Sequence, residues 1–256
     1  VEAEFSLRIR DYFQANLSGW ALARGAKPIT KPGRPQPVPL PVVTAVAISP
    51  DSLHAVAAWP NTIKLFEAEN TTAKPKSLTS PFELVTHLGF SHNSQWLAFA
   101  GVTKNQRGLV QFRTPSGELK HEVETSAQPL CAAFSPDNQT LAIGQSDGSI
   151  WLIPVSSPNK PRIFLKHHHD RITALSWSSD GQRLFSASMD KQSKVTAVNK
   201  KASNPLTLDL GSTALLVFDG QKLISGDQLR TLTVRNPTNG EILATSPRFD
   251  TGTQIG

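Results

Sequence analysis

The chain has 256 residues, a formal net charge of +6 and a single cysteine, Cys131. This length accommodates one large domain or two small ones, and one cysteine excludes an intrachain disulfide framework and is compatible with a reducing compartment. Hydrophobic residues make up only 38% of the chain, while 19 Pro and 16 Gly favour an all-β protein rich in turns over a compact α/β enzyme. No apolar run reaches the length of a membrane span and no signal peptide opens the chain, so we expect an intracellular protein, cytoplasmic or nuclear.

The first 27 residues form an N-terminal arm that differs from the rest of the chain. Its large apolar residues recur at three- and four-residue spacing and are Phe5, Ile9, Tyr12, Phe13, Leu17 and Trp20. This spacing predicts an amphipathic helix, although the alternation of apolar residues over 5–10 also fits a strand. The stripe either packs on the flank of the following domain or docks another subunit, in which case Phe13 and Trp20 are the partner contacts.

A proline-rich segment over residues 28–41 follows the arm, with the sequence PITKPGRPQPVPLP. Proline fixes the backbone dihedral φ and favours an extended, polyproline-like conformation. We therefore interpret this segment as a stiff linker.

Five similar units follow the linker. Each contains a small apolar run, Ser-Pro-Asp or its remnant, a second apolar run, a turn and a third run. The corresponding residues Ser49, Ser91, Ser135, Ser178 and Asp219 are 42, 44, 43 and 41 residues apart. The units lie near 42–69, 84–114, 129–156, 168–199 and 212–242, and we interpret 243–256 as the start of another unit. A period this regular indicates stacked supersecondary units.

The fourth unit shows most clearly what one repeat forms. Period-2 alternation predicts strands at 172–177, 183–187 and 194–198, joined by turns that contain Gly, Asp and Ser. A looser fourth strand, such as 162–165 before the next unit, completes one antiparallel sheet. A single sheet of this kind cannot bury both of its faces, whereas radial stacking of several sheets buries them all.

These units resemble the WD-repeat β-propeller family, and the resemblance covers residues 42 to about 242. It implies an all-β fold, a β-propeller of four-stranded antiparallel blades. Five units are fewer than the six to eight blades of most closed rings in this family. The chain could be part of a longer propeller, residues 1–27 could supply strands of a divergent blade, or the ring could stay open and be completed by a partner.

The resemblance also assigns structural roles to particular residues. His168 matches the histidine of the family's Gly-His pair, Asp190 its tight-turn aspartate, and Ser186 or Ser188 its second-strand hydroxyl. The turn aspartate is retained in the third and fifth units as Asp147 and Asp227. No unit has the Trp-Asp pair itself, so the repeats are degenerate.

Motifs of catalytic or metal-binding type are rejected on their context. The G-x-S-x-G pattern at 144–148 is followed by a strand, whereas a nucleophile elbow requires a helix there. The run of three histidines at 167–169 lies in an extended segment, where adjacent side chains point to opposite faces and cannot converge on one ion. We therefore predict no catalytic, cofactor-binding or metal-binding residue.

The predicted function is a non-enzymatic protein–protein interaction scaffold, a subunit of a multiprotein assembly. This follows from the resemblance, because a fold by itself is a loose guide to function. The alternative is a ribonucleoprotein or nucleic-acid-associated subunit that uses a basic face of the propeller. A propeller hydrolase or lyase ranks third, because the sequence offers no converging set of acidic or histidine side chains.

Overall fold

Alternation of small or branched apolar residues with polar ones produces β-strands along the chain. The computed structural model describes residues 43–67, 74–158, 163–166, 168–198, 206–208, 213–218, 222–227, 232–236 and 241–246. The regular secondary structure of these described residues consists of β-strands alone. The strands form five separate four-stranded antiparallel sheets. We number these sheets blades 1 to 5 in chain order. The all-β prediction is confirmed.

The strands of the first three blades follow one another as simple meanders. Blade 1 contains β1 (Ala45–Ile48), β2 (His54–Trp59), β3 (Thr62–Glu67) and β4 (Lys76–Leu78). Blade 2 contains β5 (Phe82–Phe90), β6 (Leu97–Thr103), β7 (Gly108–Arg113) and β8 (Leu119–Thr125). Blade 3 contains β9 (Pro129–Phe134), β10 (Thr140–Gln145), β11 (Ser149–Pro154) and β12 (Ile163–Lys166).

The last two blades repeat the same order. Blade 4 contains β13 (Ile172–Trp177), β14 (Arg183–Ser188), β15 (Ser193–Ala197) and β16 (Leu206–Leu208). Blade 5 contains β17 (Thr213–Phe218), β18 (Leu223–Asp227), β19 (Leu232–Arg235) and β20 (Ile242–Thr245). The interpretation of 243–256 as the start of another unit is wrong for residues 243–245, because β20 pairs with β19 as the outer strand of blade 5.

Neighbouring blades pack face to face, with their first strands side by side in the order β1, β5, β9, β13 and β17. The apolar core between blades 1 and 2 is built around Val56, Leu65 and Phe99. The next core, between blades 2 and 3, includes Phe112 and Ile143. Fully burying one such side chain contributes about 1.5–3 kcal/mol, so the stability of each blade depends on its neighbours.

The outward face of blade 1 is partly open. Val46 and Ile48 on β1 are 60% and 50% exposed, although both are branched apolar residues. Among the described strands, β1 and β17 do not pack against each other in the way that successive first strands do. The described blades therefore form a consecutive series from blade 1 to blade 5.

Cys131 lies on β9 and packs against the core between blades 3 and 4. Burial raises the pKa of its thiol to about 12. The domain boundaries proposed for 1–27, 28–41 and 42–256 remain predictions, since residues 1–42 lie outside the described part of the chain. Among the residues that are described, no helix has the length and apolarity needed to cross a membrane.

Candidate interaction site and the networks at the blade ends

The turn between the first and second strands has the same construction in four blades. We call these turns, residues 49–54, 91–96, 135–140 and 178–183, the inner turns. In the first, the Ser49 hydroxyl donates to Asp51 Oδ1 at 2.5 Å and accepts from the His54 amide at 2.9 Å. Asp51 Oδ1 also accepts from the Leu53 amide at 3.0 Å. The periodic serines of the sequence are therefore buried turn-forming residues.

The equivalent bonds recur in the other inner turns. The serine hydroxyl donates to Asn93 at 2.7 Å, to Asp137 at 2.5 Å and to Asp180 at 2.5 Å. The residue three positions after each serine has a positive φ, between 55° and 67°, and these residues are Ser52, Ser94, Asn138 and Gly181. Asparagine and glycine adopt this left-handed conformation readily.

Successive inner turns are also joined to each other. The Asp51 amide donates to Ser94 Oγ at 3.0 Å, which links blade 1 to blade 2. The Asn93 amide donates to Asn138 Oδ1 at 3.2 Å, which links blade 2 to blade 3. Gly181 occupies the same position in blade 4 and has no side chain to continue the series.

A cleft of about 550 Å³ opens beside the inner turns. We call it the inner cleft. It lies at the carboxyl ends of β5, β9 and β13, and its larger lining side chains are His87, Phe90, His92, Phe134, Leu175 and Trp177. Ligand sites in proteins are typically concave and mostly apolar, with volumes of about 300–1,000 Å³. The inner cleft is therefore the candidate binding site.

Hydrogen bonds between blades hold the walls of the inner cleft. Trp177 Nε1 of blade 4 donates to the Ala133 carbonyl of blade 3 at 3.0 Å. His92 Nε2 of blade 2 lies 3.4 Å from the Phe134 carbonyl. These bonds fix the relative positions of three blades, so the cleft is formed by the packed series rather than by one blade.

His87 supplies a polar group to the wall of the inner cleft. The ring is half-buried, and burial lowers the pKa of His87 to about 4. The imidazole is therefore neutral at physiological pH, when it can both donate and accept a hydrogen bond.

The rim of the inner cleft is acidic although the chain as a whole is basic. Asp137 and Asp180 directly follow the lining residues Pro136 and Ser179 and are exposed, and Asp51 is exposed in the inner turn of blade 1. The only Lys or Arg in the four inner turns is Arg183. The hydrogen bond from Ser178 lowers the pKa of Asp180. For Asp51, burial acts to raise the pKa, but the hydrogen bonds from Ser49 and the Leu53 amide outweigh it and the net pKa is lowered. Asp51 and Asp180 are therefore ionised at neutral pH.

The predicted repeat residues of blade 4 come together at the opposite end of the blade. His168 lies 2.9 Å from Asp190 Oδ2 through Nδ1 and 2.9 Å from Ser186 Oγ through Nε2. Ser188 bonds elsewhere, because its hydroxyl donates to the Asp170 carbonyl at 2.8 Å. Of the two serines considered for this position, Ser186 is the one that contacts His168.

Asp190 also binds the backbone around His168. Its carboxylate accepts from the His169 amide at 3.1 Å and from the Gln192 amide at 3.0 Å. Burial acts to raise the pKa of Asp190, but these amides and His168 outweigh it, so the net pKa is lowered. The His168 side chain is fully buried and both of its ring nitrogens have partners, as expected of a structural rather than a reactive group.

Blade 3 contains a related network around Asp147. Asp147 Oδ1 accepts from the Ser149 hydroxyl at 2.6 Å, and Gln145 Nε2 donates to the same hydroxyl oxygen at 3.0 Å. Gln145 Oε1 in turn accepts from the Ala127 amide at 3.0 Å. Gln145 and Ser149 were not predicted from the sequence, although each lies two residues from Asp147 and this symmetric spacing was a signal for them.

The remaining predicted residues are only partly covered. Asp227 is the last residue of β18 and pairs with Thr213, while its side chain lies outside the described part of the structure. Phe13 and Trp20 lie outside the described residues, as does His167. Among the described residues, no three His, Cys, Asp or Glu side chains lie close enough together to hold a metal ion.

Four-stranded antiparallel meanders with their first strands side by side define the β-propeller class. A chain of the crystal structure of the mitotic checkpoint complex has this fold, with a TM-score of 0.68, 18% identity, and coverage of 86% of this chain and 74% of that chain. The profile of the WD domain, G-beta repeat, matches residues 115–153 and 159–195. The chain therefore contains WD repeats over these residues, which confirms the resemblance to the WD-repeat family that the sequence predicted.

Three relatives carry the same kind of repeat. WD repeat-containing protein 1 of Gallus gallus is 28% identical over 60% of this chain and 26% of its own length. WD repeat-containing protein 55 of Danio rerio is 31% identical, over 51% and 35%. A ribosome biogenesis protein WDR12 homolog of Nematostella vectensis is 30% identical, over 53% and 32%. The chain thus spans between about a quarter and a third of these relatives.

Proposed function

We propose that this chain is a non-enzymatic scaffold that holds other proteins in an assembly, with the inner cleft as a contact site. The observation that carries the proposal is the cleft itself, which is apolar, open and shared by three blades. The polar networks at the opposite end are internally bonded and stabilise the blades. WD-repeat propellers generally serve as protein-interaction scaffolds, which supports the same function.

A covalent cross-linking experiment tests this proposal in native extract. Partners cross-linked to the full chain are identified by mass spectrometry and compared with those of Ser176→Trp, which places a large ring in the inner cleft. Asn105→Trp, in the exposed turn between β6 and β7 at the other end of blade 2, is the matched control. We expect a defined set of proteins to be lost with Ser176→Trp and kept with Asn105→Trp. An unchanged set would show that the partners bind elsewhere.

The same experiment tests the N-terminal arm. Phe13→Ala and Trp20→Ala remove its two proposed partner contacts while leaving the described blades unaltered. If the arm docks another subunit, one cross-linked protein disappears in both variants. If the arm instead packs on this chain, the partner set is unchanged and the unfolding midpoint falls.

The second candidate is a ribonucleoprotein or nucleic-acid-associated subunit. The net charge of +6 favours it, and one relative is named as a ribosome biogenesis protein. The acidic rim would repel phosphate, so a nucleic acid would have to use another face. Recovery of RNA that washes off at high salt and is unaffected by Ser176→Trp would support this function.

A hydrolase or lyase is the third class. Such an enzyme would require acidic or histidine side chains that converge in one cavity. The described lining of the inner cleft contains two histidines and no Asp or Glu side chain, which favours binding over catalysis.

A further inference from the structure

We propose that the inner cleft binds an extended protein segment in which an apolar side chain is flanked by lysine or arginine. This inference rests on the proposed scaffold function and specifies the chemistry of the partner. It follows from three properties of the cleft: its apolar walls, its acidic rim and the strand edges that line it.

The apolar walls select the central residue of the segment. Phe90, Phe134, Leu175 and Trp177 line the cleft from three different blades. A volume of about 550 Å³ accommodates one or two large side chains together with their backbone. An aliphatic or aromatic side chain that enters the cleft removes apolar surface from water on both partners.

The acidic rim selects the flanking residues. Asp137 and Asp180 directly follow Pro136 and Ser179, which line the cleft, and both carboxylates are exposed. Complementary charges at a rim steer association and exclude partners of the wrong sign. A segment with lysine or arginine beside its apolar residue satisfies both the rim and the walls, whereas an acidic segment or a nucleic acid would be repelled.

The strand edges favour an extended conformation of the partner. Each of β5, β9 and β13 is the edge strand of its sheet, so one side of its backbone is not paired within the blade. An extended segment can bond to such an edge through its own backbone. Gly89 of β5 lines the cleft, and the His87 imidazole lies against it, 3.0 Å from where a Cβ would be, so that ring can offer a hydrogen bond beside the edge.

The inner turn of blade 2 shows that the rim charge can be removed without disturbing the turn, because it has an asparagine where blades 3 and 4 have an aspartate. In blade 2 the equivalent residue is Asn93, which accepts from the Ser91 hydroxyl at 2.7 Å and from the Gln95 amide at 3.2 Å. Asp137 and Asp180 accept the corresponding bonds from Ser135 and Ser178. Asp137→Asn and Asp180→Asn therefore remove charge while keeping the hydrogen bonds of each turn.

Selection of a random dodecapeptide display library on the full chain tests the inference. We expect the enriched peptides to share an apolar residue flanked by lysine or arginine. The strongest peptide is then synthesised with a fluorophore and titrated against the full chain by anisotropy. We expect the double variant Asp137→Asn, Asp180→Asn to bind about tenfold more weakly, a difference of about 1.4 kcal/mol, since two ion pairs at the rim are lost.

Two variants control for charge and for position. Asp170→Asn removes an exposed carboxylate at the opposite end of blade 4 and should leave the affinity unchanged. Ser176→Trp should abolish binding by filling the cleft. The affinity for the wild-type chain should also fall with increasing salt.

Different failures have different meanings. Enriched peptides without basic residues, or equal affinity of the double Asn variant, would overturn the predicted partner chemistry. Affinity that survives Ser176→Trp, or the absence of any enriched peptide, would overturn the cleft as the site of an extended segment. In either case, cross-linked partners that are lost with Ser176→Trp in native extract would leave the scaffold function standing.

Discussion

A serine hydroxyl is well suited to the inner turns because it donates and accepts in the same small space. Ser178 Oγ accepts from the Arg183 amide at 2.9 Å and donates to Asp180 at 2.5 Å. Alanine would satisfy neither contact, and threonine would add a methyl group where the side chain is only 1% exposed. The periodicity of serine in the sequence therefore has a local physical cause.

Asp190 should be among the most sensitive single positions in blade 4. Asp190→Ala removes the acceptor for His168 and for the His169 and Gln192 amides. We expect the free energy of unfolding to fall by about 2–4 kcal/mol, because Nδ1 of a buried imidazole and two backbone amides lose the acceptor that they share. Urea denaturation measures this loss. Asp180→Ala, in an exposed turn, is the comparison, and an equal loss in the two variants would contradict a special role for the His168 contact.

His87 should make stability depend on pH. Its pKa is lowered from 6.5 to about 4 by burial, so between these values the unfolded chain binds a proton that the folded chain does not. Stability therefore falls as the pH drops from 6.5 towards 4 and receives no further change from this group below 4. We expect a loss of about 1–2 kcal/mol, less than the full shift implies, since the ring is half-buried.

Thermal unfolding of His87→Gln at pH 7 and pH 4.5 measures that contribution. The variant should lose less stability on acidification than the wild-type chain. His169→Gln, which replaces an exposed histidine, should behave like the wild type. If the two variants lose the same amount of stability between pH 7 and pH 4.5, burial of His87 is not the source of the effect.

At the scale of the element, the sequence predicts the strands well because each lies between turns with strong local signals. The prediction of a strand at 172–177 matches β13, and 194–198 matches β15 to within one residue at each end. The end of the last blade was harder to predict, since residues 243–245 carry no turn signal to distinguish an outer strand from a new first strand. Only the pairing of β20 with β19 resolves that choice.

The candidate site was much less predictable than the strands. The inner cleft combines residues about 43 positions apart, such as His92 with Phe134 and Ala133 with Trp177. Each of these looks like an ordinary strand or turn residue in its own unit. Their proximity arises from packing between blades, which no single repeat encodes.

The series of bonds between inner turns can be extended by one substitution. Gly181→Asn places a side chain at the position of Asn138, within reach of the turn of blade 3. Its φ of +67° is one that asparagine adopts, and an added Cβ would meet only Pro136, at 3.7 Å. We expect a gain of about 0.5–1 kcal/mol, from lower entropy of the unfolded chain and a new hydrogen bond.

Gly148→Ala, at another glycine with a positive φ, is expected to lower stability where Gly181→Asn raises it. There a Cβ would lie 2.5 Å from the His168 carbonyl oxygen, so the backbone would have to shift. We expect a clear loss of stability in thermal unfolding, whereas Gly181→Asn should unfold at a higher temperature. Destabilisation by Gly181→Asn would show that the equivalence of the four turns does not extend to blade 4.

At the scale of the whole molecule, stability is transmitted from blade to blade, as in other repeat arrays. Trp177→Phe keeps an aromatic ring between blades 3 and 4 but removes the bond to the Ala133 carbonyl. We expect a loss of about 1–2 kcal/mol. Hydrogen exchange should become faster in β9 and β13 and remain unchanged in β6 and β7.

The control for this prediction is Trp96→Phe, which alters a ring packed edge-to-face on Phe112 within blade 2. It should raise exchange in blade 2 and leave β13 unaffected. Faster exchange throughout all blades in both variants would indicate that the array unfolds as one cooperative unit rather than by neighbouring contacts.

The partly buried Cys131 has a practical consequence for studying this protein in solution. With a thiol pKa of about 12, almost none of it is thiolate at neutral pH, and the thiolate is the form that reacts with maleimides. Since the chain has no other cysteine, a cysteine introduced on an exposed loop would carry a fluorophore or spin label almost alone. With two such cysteines on different blades, the distance between their labels could be followed without first removing Cys131.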